Sequence, residues 1–224
     1  MTDEPTNFLY PFIDGAADDP ASLLTDLAAS AQAKAAESLA LRRATLEANA
    51  DLLDRAAAEL ARRFAAGGRL FTFGNGGSCT DSTTLARLFA RPPIGGPETS
   101  LPAWSLTADP AILTALGNDV GFELVFARQL IARARAGDIA IAMSTSGNSP
   151  NLLAALAEAR RRGLYTVGFA GYDGGAFVDN ADVDCCFVVR SQSVHRIQEA
   201  QALLAYSLWS TTHGRLGDPH VGAA

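Results

Sequence analysis

Twice along this 224-residue chain a short apolar run passes straight into a glycine- and serine-rich stretch and then into helix-forming residues, an order that few folds accommodate. The first run, residues 69–73, is entered from Gly67-Gly68 and left through Gly74-Asn75-Gly76-Gly77-Ser78. The second, residues 139–143, leads into Ser144-Thr145-Ser146-Gly147-Asn148-Ser149 and a helix with Pro150 at its first position, where proline's missing N–H costs nothing. Apolar runs of this length bounded by turn residues are strand-like. Further strands are expected at residues 166–170 and 184–189, separated by the turn-rich Gly171-Tyr172-Asp173-Gly174-Gly175. A last helix is expected over about residues 193–212. Strands alternating with helices imply βαβ units: an α/β fold with a mostly parallel sheet, right-handed crossovers and helices on both faces.

Ahead of this core, residues 20–66 are rich in Ala, Leu, Glu and Arg with no interior Gly or Pro, and a pair of long helices is expected there. Leu46, Leu53, Ala57, Leu60 and Phe64 share one face of the second. The length suits one domain, residues 20–214, divided into the helices (20–66) and the α/β core (67–214), with 1–19 and 215–224 as loose ends. At 48% hydrophobic, the chain has no apolar run of the roughly 18 to 20 residues a membrane span needs, so no membrane association is expected. Its N-terminus, Met1-Thr2-Asp3-Glu4-Pro5, lacks the basic and apolar regions of a secretory signal, so a cytoplasmic chain is expected. Cys79, Cys185 and Cys186 have no ligand-like spacing and suit a reduced compartment. On a strand, adjacent Cys185 and Cys186 point to opposite faces. A formal net charge of -6 argues against a nucleic-acid partner.

The chemistry lies in the two loops, because ligands of an open parallel sheet collect at the carboxyl ends of its strands. Gly76 and Gly77 let backbone approach a ligand, and N–H groups at a helix N-terminus attract an anion. Ser144, Thr145, Ser146 and Ser149 add four hydroxyls within six residues, which suits a phosphomonoester; a serine-rich turn with Ser149 as N-cap is the plainer reading of that loop taken alone. Neither loop holds the lysine of a Walker A motif, and Cys79 stands where a dinucleotide fingerprint needs its third glycine. No nucleotide, and no other cofactor, is expected.

Taken together, Gly74-Asn75-Gly76-Gly77-Ser78, Gly117-Asn118-Asp119, Ser144-Thr145-Ser146-Gly147-Asn148-Ser149 and Arg196-Ile197-Gln198-Glu199 resemble, in order and spacing, the phosphoheptose isomerase branch of the sugar isomerase (SIS) family. The resemblance covers most of the chain. It implies a flavodoxin-like three-layer sandwich around a five-stranded parallel sheet, preceded by a helix pair, and a homotetramer with sites between subunits. It assigns Ser78, Ser144, Thr145, Ser146 and Ser149 to a sugar phosphate, with Asn75 and Asp119 near the sugar. Asp109 reads as the cap of a helix holding Ile112 and Leu113, at a position that lies near the sugar in relatives.

The family's isomerases use a histidine and a glutamate one turn apart after the first loop, with a glutamine and a histidine on the last helix. The corresponding residues here are Thr84, Leu88, Gln198 and Tyr206, of which only Gln198 is retained. Leucine neither takes a proton nor binds zinc, so neither a metal nor the usual metal-dependent reaction is expected. Glu199 and His195 are the substitute bases considered, with Asp81 and Asp109 beside them; the plainer readings are an arginine partner across a subunit contact for Glu199, an exposed helix-start residue for His195 and a first-turn acid for Asp81. Two functions follow: a sugar-phosphate-binding module that engages a protein partner, as SIS relatives lacking the glutamate do, or a sedoheptulose 7-phosphate isomerase with a relocated base. Arg42, Arg43, Arg55, Arg62 and Arg63 on the helices suit a partner surface, an oligomer contact or a solvated face.

Overall fold

The computed structural model describes residues 20–96 and 99–217. The chain divides into two compact units, residues 1–40 and 41–224. In the first, the described residues form the start of helix α1 (Pro20–Ala65), with Leu24, Leu27 and Leu39 exposed. α1 is one continuous helix where a pair was expected. Nothing between residues 20 and 65 interrupts the i to i−4 hydrogen bonding, since the segment holds neither glycine nor an interior proline, and strong helix formers run through it.

The second unit holds five parallel strands, β1 (Leu70–Gly74), β2 (Ala103–Ser105), β3 (Ile139–Met143), β4 (Tyr165–Gly171) and β5 (Cys185–Val189), in the order β2-β1-β3-β4-β5. Between and after them lie α2 (Gly77–Ala90), α3 (Pro110–Asp119), α4 (Val125–Arg133), α5 (Pro150–Arg161) and α6 (Val194–Leu216). Apart from the edge strand β2 and one half-buried face of β5, the strands bury both faces, so their side chains alternate between two apolar layers. Leu70, Ile139, Ile141, Met143, Val167, Phe169, Cys185 and Phe187 pack with the last turns of α1, α2 and α6. Phe71, Phe73, Ala140, Ala142 and Ala170 pack with α4 and α5. This is the expected three-layer sandwich. Cys185 belongs to one layer and Cys186 lies against the other, and burial pushes both thiols up to about 12, which keeps them protonated and unreactive at neutral pH.

Residues 215 and 216, expected to be loose, belong to the last helix. α6 continues through Leu216, Arg215 pairs with Asp54 of α1, and His213 is buried beside Trp209. Both His213 ring nitrogens lie near carbonyl oxygens, Nδ1 at 3.2 Å from Trp209 and Nε2 at 3.1 Å from Thr99. Residues 1–19 and 218–224, including His220, lie outside the described residues. Among the described residues no helix is long and apolar enough to cross a membrane.

Candidate functional site

The chain leaves β1 towards β2 on one side and returns to β3 on the other, so the strand order reverses between β1 and β3. A crevice opens at the carboxyl end of such a reversal. The two loops singled out in the sequence follow these two strands and open into α2 and α5.

In the first loop, Gly76 is the N-cap of α2 with φ 54° and ψ −127°, and no side chain caps the helix. Asn75 then turns towards α5, where its amide exchanges two hydrogen bonds with that of Asn151: Asn75 Nδ2 donates to Asn151 Oδ1 at 2.8 Å, and Asn151 Nδ2 donates to Asn75 Oδ1 at 2.9 Å. Asn151 is buried, so this pair ties the two loops together in a place where a broken amide bond would stay unsatisfied. Ser78 is buried at the second position of α2.

The second loop is held from within. Ser144 Oγ accepts from the Gly147 N–H at 3.0 Å, Ser146 Oγ accepts from the Asn148 N–H at 3.3 Å, and Gly171 N–H donates to the Thr145 carbonyl at 2.9 Å. Gly147 has φ +68°, and a Cβ there would overlap the Gly174 carbonyl. Ser149 takes the expected N-cap position of α5, but its hydroxyl makes no capping bond. Two helix N-termini therefore flank the crevice with no side-chain cap on either.

α6 closes the other side. Gln198 lies directly on Gly77, so close that a Cβ at Gly77 would overlap its amide nitrogen, and it donates to Asp81 Oδ2 at 3.5 Å. Burial pushes the half-buried Asp81 carboxyl above its ordinary value, partly offset by the Gln198 bond. One turn further on, the fully buried Gln201 donates to the Ser144 carbonyl at 2.7 Å.

The remaining candidates lie apart from this cluster in their bonding. Glu199 pairs with Arg42 of α1 at 3.1 Å, on a half-exposed surface. His195 is exposed in the first turn of α6. Asp109 caps α3, accepting from the N–H groups of Ala111 and Ile112 at 2.9 and 3.2 Å. Asp119 ends α3, is exposed, and accepts from Asn118. A cluster missed in the sequence lies beneath the first loop: the Thr83, Ser105 and Thr107 hydroxyls approach one another within 2.6 to 3.0 Å, and Thr83 also donates to the Cys79 carbonyl. Its only sequence signal was the Ser105-x-Thr107 spacing.

The chemistry of the residues at the family's metal positions does not suit a divalent metal. Thr84 bonds its own helix at the Thr80 carbonyl, Leu88 packs against the core, and Tyr206 is half-exposed against Trp209. With Gln198 they offer two hydroxyls and an amide, and among the described residues no three His, Cys, Asp or Glu side chains gather.

Residues 35–171 match the family model described as SIS domain. The chain is 42% identical over 169 residues to the phosphoheptose isomerase of Roseiflexus sp. (strain RS-1), covering 75% of this chain and 84% of the relative. For the phosphoheptose isomerase of Geobacter sulfurreducens the identity is 41% over 187 residues, covering 77% and 96%. Among solved structures, phosphoheptose isomerase from Neisseria gonorrhoeae superposes with a TM-score of 0.74 at 31% identity, covering 82% of this chain and 96% of that one.

Proposed function

The chain belongs to the SIS-domain family and resembles its phosphoheptose isomerases, and from that premise we propose that it binds a phosphorylated sugar of the heptose type between the loops after β1 and β3. The observation that carries this reading is the pair of helix N-termini, α2 and α5, that face one crevice without a side-chain cap. Uncapped N–H groups at the positive end of a helix favour an anion. The hydroxyls of Ser78, Ser144, Thr145, Ser146 and Ser149 supply further phosphate donors, and Asn75, Gln198 and the Gly76-Gly77 backbone face the sugar. Asp109 and Asp119 complete the sugar's surroundings, and a second subunit of a homotetramer closes the site.

In this reading the protein holds its ligand without the metal-dependent isomerisation of its relatives. Moving a proton between adjacent carbons needs a base, an acid and stabilisation of the developing oxyanion, and Thr84, Leu88 and Tyr206 provide neither a base nor a metal. The module then serves a protein partner. Asp81 supports a second reading, an active isomerase with a relocated base: its carboxyl is half-buried, pushed upward and bonded to Gln198, whereas Glu199 is committed to Arg42 and His195 is exposed.

The test is the melting temperature of the purified protein with sedoheptulose 7-phosphate, alongside aldose formation with and without zinc. A ligand-dependent rise without turnover is expected. Turnover that Asp81→Asn abolishes establishes the second reading, and no rise at any concentration refutes heptose-phosphate binding.

A further inference from the structure

The parallel ladder between β3 and β4 slips where the second loop begins. Ser144 N–H donates to the Phe169 carbonyl at 2.9 Å, and the regular next step would bring the Gly171 N–H to the Ser144 carbonyl. Gly171 instead donates to the Thr145 carbonyl at 2.9 Å. The Ser144 carbonyl thus loses its backbone partner, and the Gln201 amide reaches from α6 to replace it at 2.7 Å. Gln201 is fully buried, and its own Oε1 has no hydrogen-bond partner among the described residues. A buried orphan acceptor costs stability, so the amide satisfies the Ser144 carbonyl at the expense of its own oxygen.

The direction of one peptide plane explains what is gained. The chain has no cis peptide bond among the described residues, and in a trans peptide the carbonyl of one residue and the N–H of the next point opposite ways. With the Ser144 carbonyl held towards α6, the Thr145 N–H is aimed away from α6. The next plane is fixed by backbone alone, through Gly171, and the Gly147 and Asn148 N–H groups are already taken by the Ser144 and Ser146 hydroxyls. Among these planes, the Ser144–Thr145 plane is the one held by a side chain from outside the loop. We propose that Gln201 is a positioning residue that holds this plane so that the Thr145 N–H donates to the anion bound in the loop. The inference rests on the reading of that loop as a phosphate site. Gln201 touches no ligand itself; it acts through the backbone it holds.

The experiment is an NMR titration of the full-length, amide-labelled protein with inorganic phosphate, in wild type and Gln201→Met. The wild-type Thr145 amide is expected to shift on binding. Gln201→Met, which removes the donor and the orphan oxygen together, is expected to stay folded, to lose the Thr145 shift and to bind phosphate roughly tenfold more weakly, the loss typical of one charge-assisted hydrogen bond. Equal affinity with an unchanged Thr145 shift overturns the positioning role while leaving the phosphate loop standing. A wild type that shows no phosphate-dependent shift at Ser78, Thr145 or Ser149 overturns the loop reading, and the positioning role with it. Should Gln201→Met fail to fold, the wild-type spectrum decides: shifts at Ser78 and Ser149 with none at Thr145 refute the proposal.

Discussion

Gly77→Ala separates the ligand site from the stability of the fold. The three atoms nearest a Cβ at Gly77 all belong to Gln198: it would overlap the amide nitrogen and crowd Cδ at 3.1 Å and Oε1 at 3.2 Å. The obstacle is the far end of a flexible side chain, so the amide swings aside. That movement forfeits the Asp81 bond, which at 3.5 Å is worth at most about 0.5 kcal/mol. Alanine returns up to about 1 kcal/mol over glycine in a helix. The net change lies within about 1 kcal/mol, or about 2–4 °C in melting temperature for a domain this size. Ligand binding responds differently. A ligand at a hundred times its Kd stabilises the protein by about 2.7 kcal/mol, and a tenfold loss of affinity roughly halves that. Differential scanning fluorimetry with sedoheptulose 7-phosphate should therefore show a nearly unchanged apo transition and a ligand-induced rise reduced by about 3–5 °C. An undiminished rise would show that the Gln198–Gly77 contact lies outside the ligand site. An apo transition lowered by more than about 8 °C would show that glycine is needed there for the backbone and not for Gln198.

Asp81→Asn tests the electrostatics. The folded carboxyl value is raised by burial, so the stability tied to Asp81 is full below its unfolded value and lost as pH rises through the folded one. Urea titrations should accordingly find Asp81→Asn more stable than wild type at pH 7, with the gap closing as the pH falls through the ordinary carboxylate range; a gap that widens on acidification contradicts the burial argument. Asn151→Ala leaves Asn75 unpaired in the crevice and should cost about 1–3 kcal/mol by urea unfolding. Glu199→Gln breaks a pair whose side chains are 39% and 46% exposed, so it should change stability by less than about 1 kcal/mol and leave calorimetric ligand affinity intact. A large loss of turnover in that variant would restore Glu199 as a base.

How much of this was legible depended on whether the signal was local. β1, β3 and β4 are buried on both faces, and β5 is buried on one and half-buried on the other; all four therefore appear as nearly continuous apolar runs, found within a residue or two. β2 was not read from the residues themselves, because three residues at the sheet edge, with Trp104 exposed, carry no pattern. The Ser149 and Asp109 caps were visible because Pro follows each and marks a helix start. The single α1 was misjudged as a pair because composition reports helix formation but not whether one helix or two results.

The amino-acid sequence by itself determined the elements, their order and the two glycine- and hydroxyl-bearing loops, since turn chemistry and side-chain period act over a few residues. Which distant groups meet in those loops was decided by the tertiary structure. Asn75 and Asn151 are 76 positions apart, Ser144 and Gln201 are 57, and Arg42 and Glu199 are 157. Whether Gln198, Glu199 or Gln201 turns towards the site depends on the rotation of α6 about its axis, and packing of Ile197, Leu204 and Leu208 against the sheet sets that rotation. No spacing within the helix encodes it, because the partners that fix it arrive only when the crossovers bring β3, β4 and α2 alongside.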